Sequence, residues 1–467
     1  MNKIRIILTV LLAVSCSSVV AMSLSSGKVV LADALSVNAF QEAVELADGS
    51  RAVCWVERNE PSGKVTPRVR FYDAGWNALA EAHELSSEGG FIAFCDSHPS
   101  GGIIVVWTEL DGESLPFFKG HAAHVLKNGD VVKHRELNST FESQYGSFVS
   151  DVEVTPAGQI FVGLSELIAS PGYQNSAYIQ KLGLDLEDLW GAPVLIGSGT
   201  PNATSISTPR MDTKADGDLS VVYFVNHGES GQYTSHEVYS VVLASDTGAL
   251  SEKHVVITHP YGTLFAATLD ISILSNGNTV VGAGVFLPDQ SSSMHVIVED
   301  HLGQRLSDLE AISTAGTVQA IIPSIAETPS GGFIFTWSEL YPGDPERPEM
   351  GSPVRALISE HASDGALLDG PYEVVPSEGE FTGDSNLLKS AAGISLIYED
   401  AVDPYGPITM LAREVYEGHS APCRRILRCL IQQFEDLVRP RQIEIDVGVG
   451  SSSAGIDLRL DPTSLLP

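Results

Sequence analysis

Five glutamates recur at matching positions of a repeated pattern, each at the end of an apolar run. They are Glu57, Glu109, Glu166, Glu339 and Glu399. Carboxylates held at one height could bind calcium, which prefers several oxygen ligands, or a ligand that carries positive charge. Two of them could also supply the acid and the base for glycan cleavage. Because the glutamates belong to the repeat itself, each one could instead cap its own strand.

The remaining residue types that support chemistry form no recognised motif. His121 and His124 lie on or beside a predicted strand, where their spacing points the two side chains to opposite faces, so no metal pair is expected. The chain has no zinc-type spacing of Cys and His, no phosphate-binding loop and no EF-hand loop. The sequence therefore assigns no catalytic residue and predicts no cofactor, with calcium left as an open alternative.

Seven repeated segments supply the strands that would position the glutamates. In each segment a tight turn precedes a strongly apolar strand, as in DGSRAVCWVE (48–57), SGGIIVVWTE (100–109) and SGGFIFTWSE (330–339). The turn glycines are Gly49, Gly102, Gly158, Gly217, Gly277, Gly332 and Gly393. A third strand follows in every segment, and a fourth strand follows in the first six. This pattern predicts an all-β fold, a seven-bladed β-propeller over residues 27–418.

The seventh repeat lacks an obvious fourth strand, and the start of the chain offers one. The segment GKVVLADALS (27–36) has the pattern of a fourth strand and directly precedes the first repeat. We therefore predict that residues 27–36 complete the seventh blade and close the ring, which removes an open sheet edge. Trp55, Trp107 and Trp337, each two residues before a glutamate, are expected to pack between blades rather than to stack on sugars.

The repeats resemble those of exported bacterial β-propeller proteins of unassigned function. The resemblance is carried by SGGIIVVWTE, SGGFIFTWSE and AYIQKLGLDLEDLWG (177–191), with two glycines, an apolar strand and a tryptophan, and later an LWG turn. It spans about residues 27–418, and repeats four and five depart from it because their second strands end without a tryptophan. The resemblance implies a propeller fold and an exported location, and it carries no activity or site residues.

The two ends of the chain lie outside the repeats. Lys3 and Arg5 precede a short apolar run, which indicates a secretory signal too short to span a bilayer. Cleavage after Ala21 would give a signal peptide of residues 1–21, whereas a lipoprotein signal would end before Cys16 and leave that residue lipidated. The expected location is the periplasm, the outer membrane as a lipoprotein, or the extracellular space. Residues 419–467 predict a small helix followed by a β-hairpin.

Charge and cysteine content limit which classes of partner the protein could bind and bear on whether a disulfide could form. The formal net charge is −32, from 59 acidic and 27 basic residues, which argues against binding to nucleic acid or anionic membranes. No segment after the signal is apolar enough for a transmembrane helix. Cys54 and Cys95 would lie on neighbouring blades at similar height, so a disulfide between them is an open alternative in an oxidising compartment.

Together these features favour an exported, non-enzymatic binding or scaffolding propeller. Long acidic connections such as ERNEPSGKVTP (57–67) and ELYPGDPERPEMGSP (339–353) would share one face, where binding sites of rigid scaffolds usually lie. The expected partner is a glycan, a cation-bearing ligand or an envelope protein, with the five glutamates as candidate binding residues. The alternative is a carbohydrate-active hydrolase or lyase that uses carboxylates of the same face.

Overall fold

A computed structural model of the protein describes most of the chain between Ser23 and Tyr416. The described residues are 23–35, 41–59, 64–111, 117–137, 146–168, 174–200, 204–206, 209–229, 232–260, 268–286, 292–307, 310–313, 319–340, 354–374, 381–401 and 408–416. The predicted signal sequence at 1–21, including Cys16, and the predicted helix and hairpin at 419–467 lie outside the described residues.

The first strand, β1 (Ser23–Leu35), belongs to the last of seven blades, and the other blades follow in chain order. Blade 1 contains β2 (Gln41–Glu45), β3 (Arg51–Asn59), β4 (Lys64–Tyr72) and β5 (His83–Glu84). Blade 2 contains β6 (Phe91–Ser97), β7 (Ile103–Asp111), β8 (Phe117–Val125) and β9 (Val131–Glu136). Blade 3 contains β10 (Ser147–Val154), β11 (Ile160–Ile168), β12 (Gln174–Leu182) and β13 (Val194–Ser198).

Blade 4 differs from the others because two short strands, β14 and β15, share its inner edge. It contains β14 (Thr204–Ile206), β15 (Arg210–Thr213), β16 (Leu219–Glu229), β17 (Gln232–Leu243) and β18 (His254–Pro260). Blade 5 contains β19 (Leu269–Ile273), β20 (Thr279–Phe286), β21 (Ser292–Glu299) and β22 (Glu310–Ala311). Blade 6 contains β23 (Gln319–Glu327), β24 (Phe333–Leu340), β25 (Val354–His361) and β26 (Leu367–Glu373). Blade 7 contains β27 (Phe381–Ser390), β28 (Gly393–Ala401), β29 (Ile408–Tyr416) and β1.

The predicted all-β, seven-bladed propeller is therefore confirmed, together with its closure by the N-terminal strand. Strand β1 pairs antiparallel with β29, from Ser23 opposite Tyr416 to Leu35 opposite Ile408. The outermost strand of blade 7 thus comes from the start of the chain, and the other three come from its end. Among the described residues there is no helix, and hence none that could cross a membrane.

The core consists of seven apolar clusters, one between each pair of adjacent blades. Alternate residues of a second strand point to opposite neighbours, so Cys54 packs toward blade 2 while Val53 packs toward blade 7. This two-sided burial explains why the second strands are apolar at almost every position. Trp55, Trp107 and Trp337 are 1%, 2% and 0% exposed, as their expected packing between blades requires.

The tight turn before the second strand of blade 2 requires a glycine. Gly102 has a φ of +76°, and a Cβ atom there would lie 2.2 Å from the carbonyl oxygen of Val125. Any side chain would therefore collide with the neighbouring third strand. Gly102 thus allows the second and third strands of blade 2 to lie close together.

Leu31 tests whether β1 closes the ring. It is 1% exposed and packs in the cluster between blades 7 and 1, whereas the adjacent Val30 is 54% exposed. We expect Leu31→Ala to lower the free energy of unfolding by about 2–5 kcal/mol and Val30→Ala to change it by less than about 0.5 kcal/mol. Urea unfolding of both variants measures this difference. Equal midpoints would contradict the docking of β1 on β29.

Candidate functional site

The five glutamates singled out by the repeat lie at the same end of five second strands, which is the face of the long connections. The side chains of Glu57 and Glu109 are 23% and 16% exposed. Residues Glu166, Glu339 and Glu399 are only 6%, 0% and 3% exposed. The five therefore do not form a uniformly solvated ring, and their role in binding stays a prediction.

Four of these glutamates contact a donor side chain of their own blade, through an ion pair or a hydrogen bond. The acceptor pairs are Glu57 with Arg68 Nε at 2.7 Å, Glu109 with Trp107 Nε1 at 3.1 Å, Glu166 with Tyr178 Oη at 3.0 Å and Glu339 with Trp337 Nε1 at 2.9 Å. Burial raises the pKa of Glu166, and the hydrogen bond from Tyr178 opposes that rise. These contacts fasten each carboxylate to its own blade.

Glu109 also begins a chain of polar contacts that reaches the rim of blade 2. His121 Nε2 lies 3.2 Å from Glu109 Oε2, and His121 Nδ1 lies 3.1 Å from Nε2 of the exposed His134. The two imidazoles stack on Trp107 with ring centroids 5.2 and 5.5 Å away. Burial lowers the pKa of His121, although the charge of Glu109 opposes this. His124 instead contacts the carbonyl oxygen of Gly101 at 2.8 Å.

An apolar patch lies on the same face at the junction of blades 2 and 3. Phe91, Phe118 and Phe148 are partly exposed, and their ring centroids are 4.0 to 5.9 Å apart. Leu110, the cross-strand partner of Phe118, is 49% exposed. Cross-strand partners share one face of a sheet, so Leu110 extends the patch. We call these four residues the blade 2–3 patch.

The sequence reasoning missed a second set of acidic residues, on the innermost strands around the central axis. Each accepts a hydrogen bond from the backbone N–H of the next blade's innermost strand. The pairs are Glu42 with Cys95 at 2.7 Å, Asp96 with Val154 at 2.6 Å, Asp151 with Met211 at 2.8 Å, Asp212 with Ile273 at 2.5 Å and Asp270 with Ile325 at 2.8 Å. We call these five residues the axial carboxylates.

The two remaining junctions also carry a bond from a backbone N–H to a side chain, although only the first involves two innermost strands. The Ser324 hydroxyl accepts from Leu387 N at 3.0 Å between blades 6 and 7, and Glu45 accepts from Ala391 N at 2.7 Å between blades 7 and 1. Every junction of the ring thus has at least one side chain that satisfies an N–H group of a neighbouring blade. Innermost strands have no further strand to pair with, so at six junctions these bonds replace part of a missing ladder. The Glu45 bond instead reaches the exposed turn that follows β27.

The axial carboxylates sit close enough to oppose one another's ionisation. Burial raises the pKa of Glu42 to about 8, of Asp96 and Asp270 to about 7, and of Asp212 to about 6. Burial raises the pKa of Asp151 as well. Negative charge on Asp151 adds to the rise at each of the other four. Some of these carboxyl groups are therefore protonated near neutral pH.

Arg210 supplies positive charge to this acidic axis. Its Nη1 lies 3.5 Å from Asp151 Oδ1, and its guanidinium lies 4.4 Å from the ring centroid of Phe94. Its charge lowers the pKa of Glu42, Asp151 and Asp270, which partly offsets their burial. In the part of the chain that the structure describes, no group of three or more His, Cys, Asp or Glu side chains is arranged to hold a metal ion.

Comparison with known proteins gives similarities of fold at low sequence identity. No family model and no curated protein matches the chain. A protein of unknown function from Dyadobacter fermentans matches with a TM-score of 0.45 and 12% identity over 84% of this chain and 100% of that one. An ulvan lyase of a new polysaccharide lyase family matches with a TM-score of 0.49 and 11% identity over 82% and 95%. An α-L-arabinanase from Penicillium chrysogenum matches with a TM-score of 0.45 and 14% identity over 70% and 93%.

The raised carboxyl pKa values make stability depend on pH in a defined direction. The pKa of Asp270 rises from 3.8 to about 7, so its neutral form stabilises the fold below pH 3.8 and this stabilisation is lost as the pH rises through about 7. We expect the Tm of the wild type to fall between about pH 5 and pH 8. In Asp270→Asn the Tm should fall less over this range, because the amide does not ionise. The amide oxygen can still accept from Ile325 N, so the bond between the blades is kept.

Thermal unfolding across this range measures both slopes. Asp130→Asn, which removes the same charge from an exposed turn, is the control for the loss of one negative charge. An identical loss of Tm in the wild type and Asp270→Asn would contradict a protonated Asp270.

Proposed function

We propose that this protein is an exported, non-enzymatic binding propeller whose contact surface is the face of its long connections. The observation that carries the proposal is the blade 2–3 patch, in which three partly exposed phenylalanine rings and Leu110 lie beside partly exposed carboxylates. Exposed apolar patches rimmed by polar residues are typical of interaction sites.

The start of blade 3 is held against the patch by a close backbone contact. Gly146 forms a bridge with Phe118, and a Cβ atom at Gly146 would lie 1.7 Å from the carbonyl oxygen of Phe118. The chain entering blade 3 therefore lies directly against the third strand of blade 2. This close contact orders the backbone that carries Phe118, and preorganised surfaces bind with a smaller entropic cost.

The surrounding charge limits the ligand class. At a net charge of −32, polyanions are repelled, whereas neutral glycans and basic envelope proteins are compatible with apolar rings beside carboxylates. Glu57 and Glu109 keep part of their side chains exposed on this face and are the predicted glutamates best placed to contact such a ligand. Export, by either the free or the lipidated route, belongs to this proposal.

The carboxylates are already engaged in contacts within the fold, and this supports a role in binding rather than in catalysis. The axial carboxylates each hold a backbone N–H of the next blade, and four of the five repeat glutamates hold a donor of their own blade. A glycosidase needs one carboxyl that delivers a proton and another that attacks or activates water. Here those groups already serve as acceptors within the fold.

Leu110 offers a direct test of the patch. We expect Leu110→Gln to weaken binding to the preferred neutral polysaccharide or basic protein by about tenfold or more, because it places an amide within the apolar surface. Leu302→Gln is the control, since Leu302 is 69% exposed on a turn at the opposite face. Titration calorimetry against a panel of both ligand classes measures the affinities. Equal affinities for the two variants would place the contact surface elsewhere.

A carbohydrate-active hydrolase or lyase is the second candidate, favoured by the contact chain from Glu109 through His121 to His134. Such a chain could relay a proton between a substrate and solvent. We expect no new reducing ends when the purified protein is incubated with a polysaccharide panel, with or without calcium.

The matched pair Glu109→Gln and Glu339→Gln decides this test. Both glutamates accept from a tryptophan two residues earlier, but Glu339 is fully buried, whereas Glu109 is partly exposed and lies 3.2 Å from His121 Nε2. Release of reducing ends that is lost in Glu109→Gln and kept in Glu339→Gln would overturn the non-enzymatic proposal.

A further inference from the structure

Two thiols meet at the junction of blades 1 and 2. Cys54 lies on β3 and Cys95 lies on β6, and they are 0% and 4% exposed. Both belong to the apolar cluster between these blades, and both are unoxidised in the structure. Neither the proposed contact surface nor the axial carboxylates use these sulfur atoms.

Glu42 on β2 fixes the position of both cysteines. Cys54 is its cross-strand partner, while Cys95 donates its backbone N–H to Glu42 Oε2 at 2.7 Å. The Cys95 thiol lies 3.8 Å from the backbone oxygen of Glu42. The two thiol groups also hydrogen-bond to each other across the junction. The backbone of each blade therefore presents one sulfur directly to the other.

We propose that Cys54 and Cys95 form a disulfide that joins blade 1 to blade 2. The oxidant is the disulfide of a thiol oxidoreductase, and its availability rests on the exported location proposed above. One cysteine thiolate attacks that disulfide, giving a mixed disulfide and releasing one thiolate of the oxidoreductase. The second cysteine thiolate then attacks the sulfur of the first, forms the Cys54–Cys95 bond and releases the other thiolate. Two protons and two electrons leave the protein, and the oxidoreductase is reduced to a dithiol.

The bond has to form before the junction is completely packed. Burial raises the pKa of both thiols, and the thiolate is the attacking species. Neither sulfur is accessible to a second protein once the blades have docked, because both side chains lie inside the apolar cluster. Oxidation therefore belongs to folding, when the segment from Cys54 to Cys95 closes into a covalent loop.

Oxidative refolding of the full chain tests the disulfide without depending on export. The protein is refolded from denaturant with a glutathione redox pair in one sample and with excess reductant in the other. Both samples are then denatured in an alkylating agent, digested without reduction and examined by mass spectrometry. We expect the oxidised sample to contain a cross-linked peptide of the Cys54 and Cys95 segments that lacks two hydrogen atoms. Alkylated Cys54 and Cys95 in that sample would overturn the proposal.

Variants identify the pair and separate it from the other cysteines. The double variant Cys423→Ser and Cys429→Ser should give the same cross-link, and Cys54→Ser should abolish it. The oxidised wild type should unfold at a higher urea concentration than the reduced wild type, and this difference should disappear in Cys95→Ser. A cross-link after refolding combined with free thiols in protein taken directly from cells would contradict export while leaving the disulfide intact.

Discussion

The inner edge of each blade sets the constraint on which the rest of this structure depends. A propeller places seven innermost strands around one axis, where no further strand can pair with them. Their axis-facing N–H groups still require acceptors, because an unpaired buried backbone group costs about as much as a lost hydrogen bond. Side chains of the neighbouring blade meet this requirement at six of the seven junctions, mostly with carboxylates such as Asp96 and Asp270.

Because carboxylates on the innermost strands bond to the next blade, closing the ring brings several acidic side chains close together around the axis. The bonds of the axial carboxylates join residues 53 to 61 positions apart, so each forms only when two blades have docked, as for Asp151 and Met211. Carboxylates are strong acceptors, but five of them around one axis repel one another when all are charged. Protonation of some of these carboxyl groups and the guanidinium of Arg210 relieve that repulsion. Perturbed pKa values, often a mark of catalysis, have a structural cause here.

The sequence predicted the scaffold well because the scaffold rests on local patterns. Turn glycines such as Gly102 and the two-sided apolar strands fix the repeat, and residues 27–36 carry the pattern of the one strand that the seventh repeat lacks. The burial of Glu339 was not predicted, because the repeat is the same whether a carboxylate faces solvent or a tryptophan N–H. A signal for it existed, since a buried indole requires an acceptor and Trp337 stands two residues before Glu339.

The positions of some axial carboxylates could also have been predicted from the sequence. Glu42, Asp151 and Asp270 stand at the same offset before the turn glycines Gly49, Gly158 and Gly277. That offset shows a shared position on the first strand, but it does not show which N–H group each carboxylate meets. The partner lies on another blade, and only the curvature of the closed ring brings the two together.

Hydrogen exchange at the axis tests most directly whether these carboxylates hold the blades together. The Ile325 amide donates its N–H to the carboxylate of Asp270 on the neighbouring blade, at 2.8 Å. In the wild type it should exchange as slowly as amides of the paired ladders, and in Asp270→Ala it should exchange much faster while Met211 stays protected by Asp151. Exchange of Ile325 at the rate of exposed turns in the wild type would contradict the structural role of the axial carboxylates.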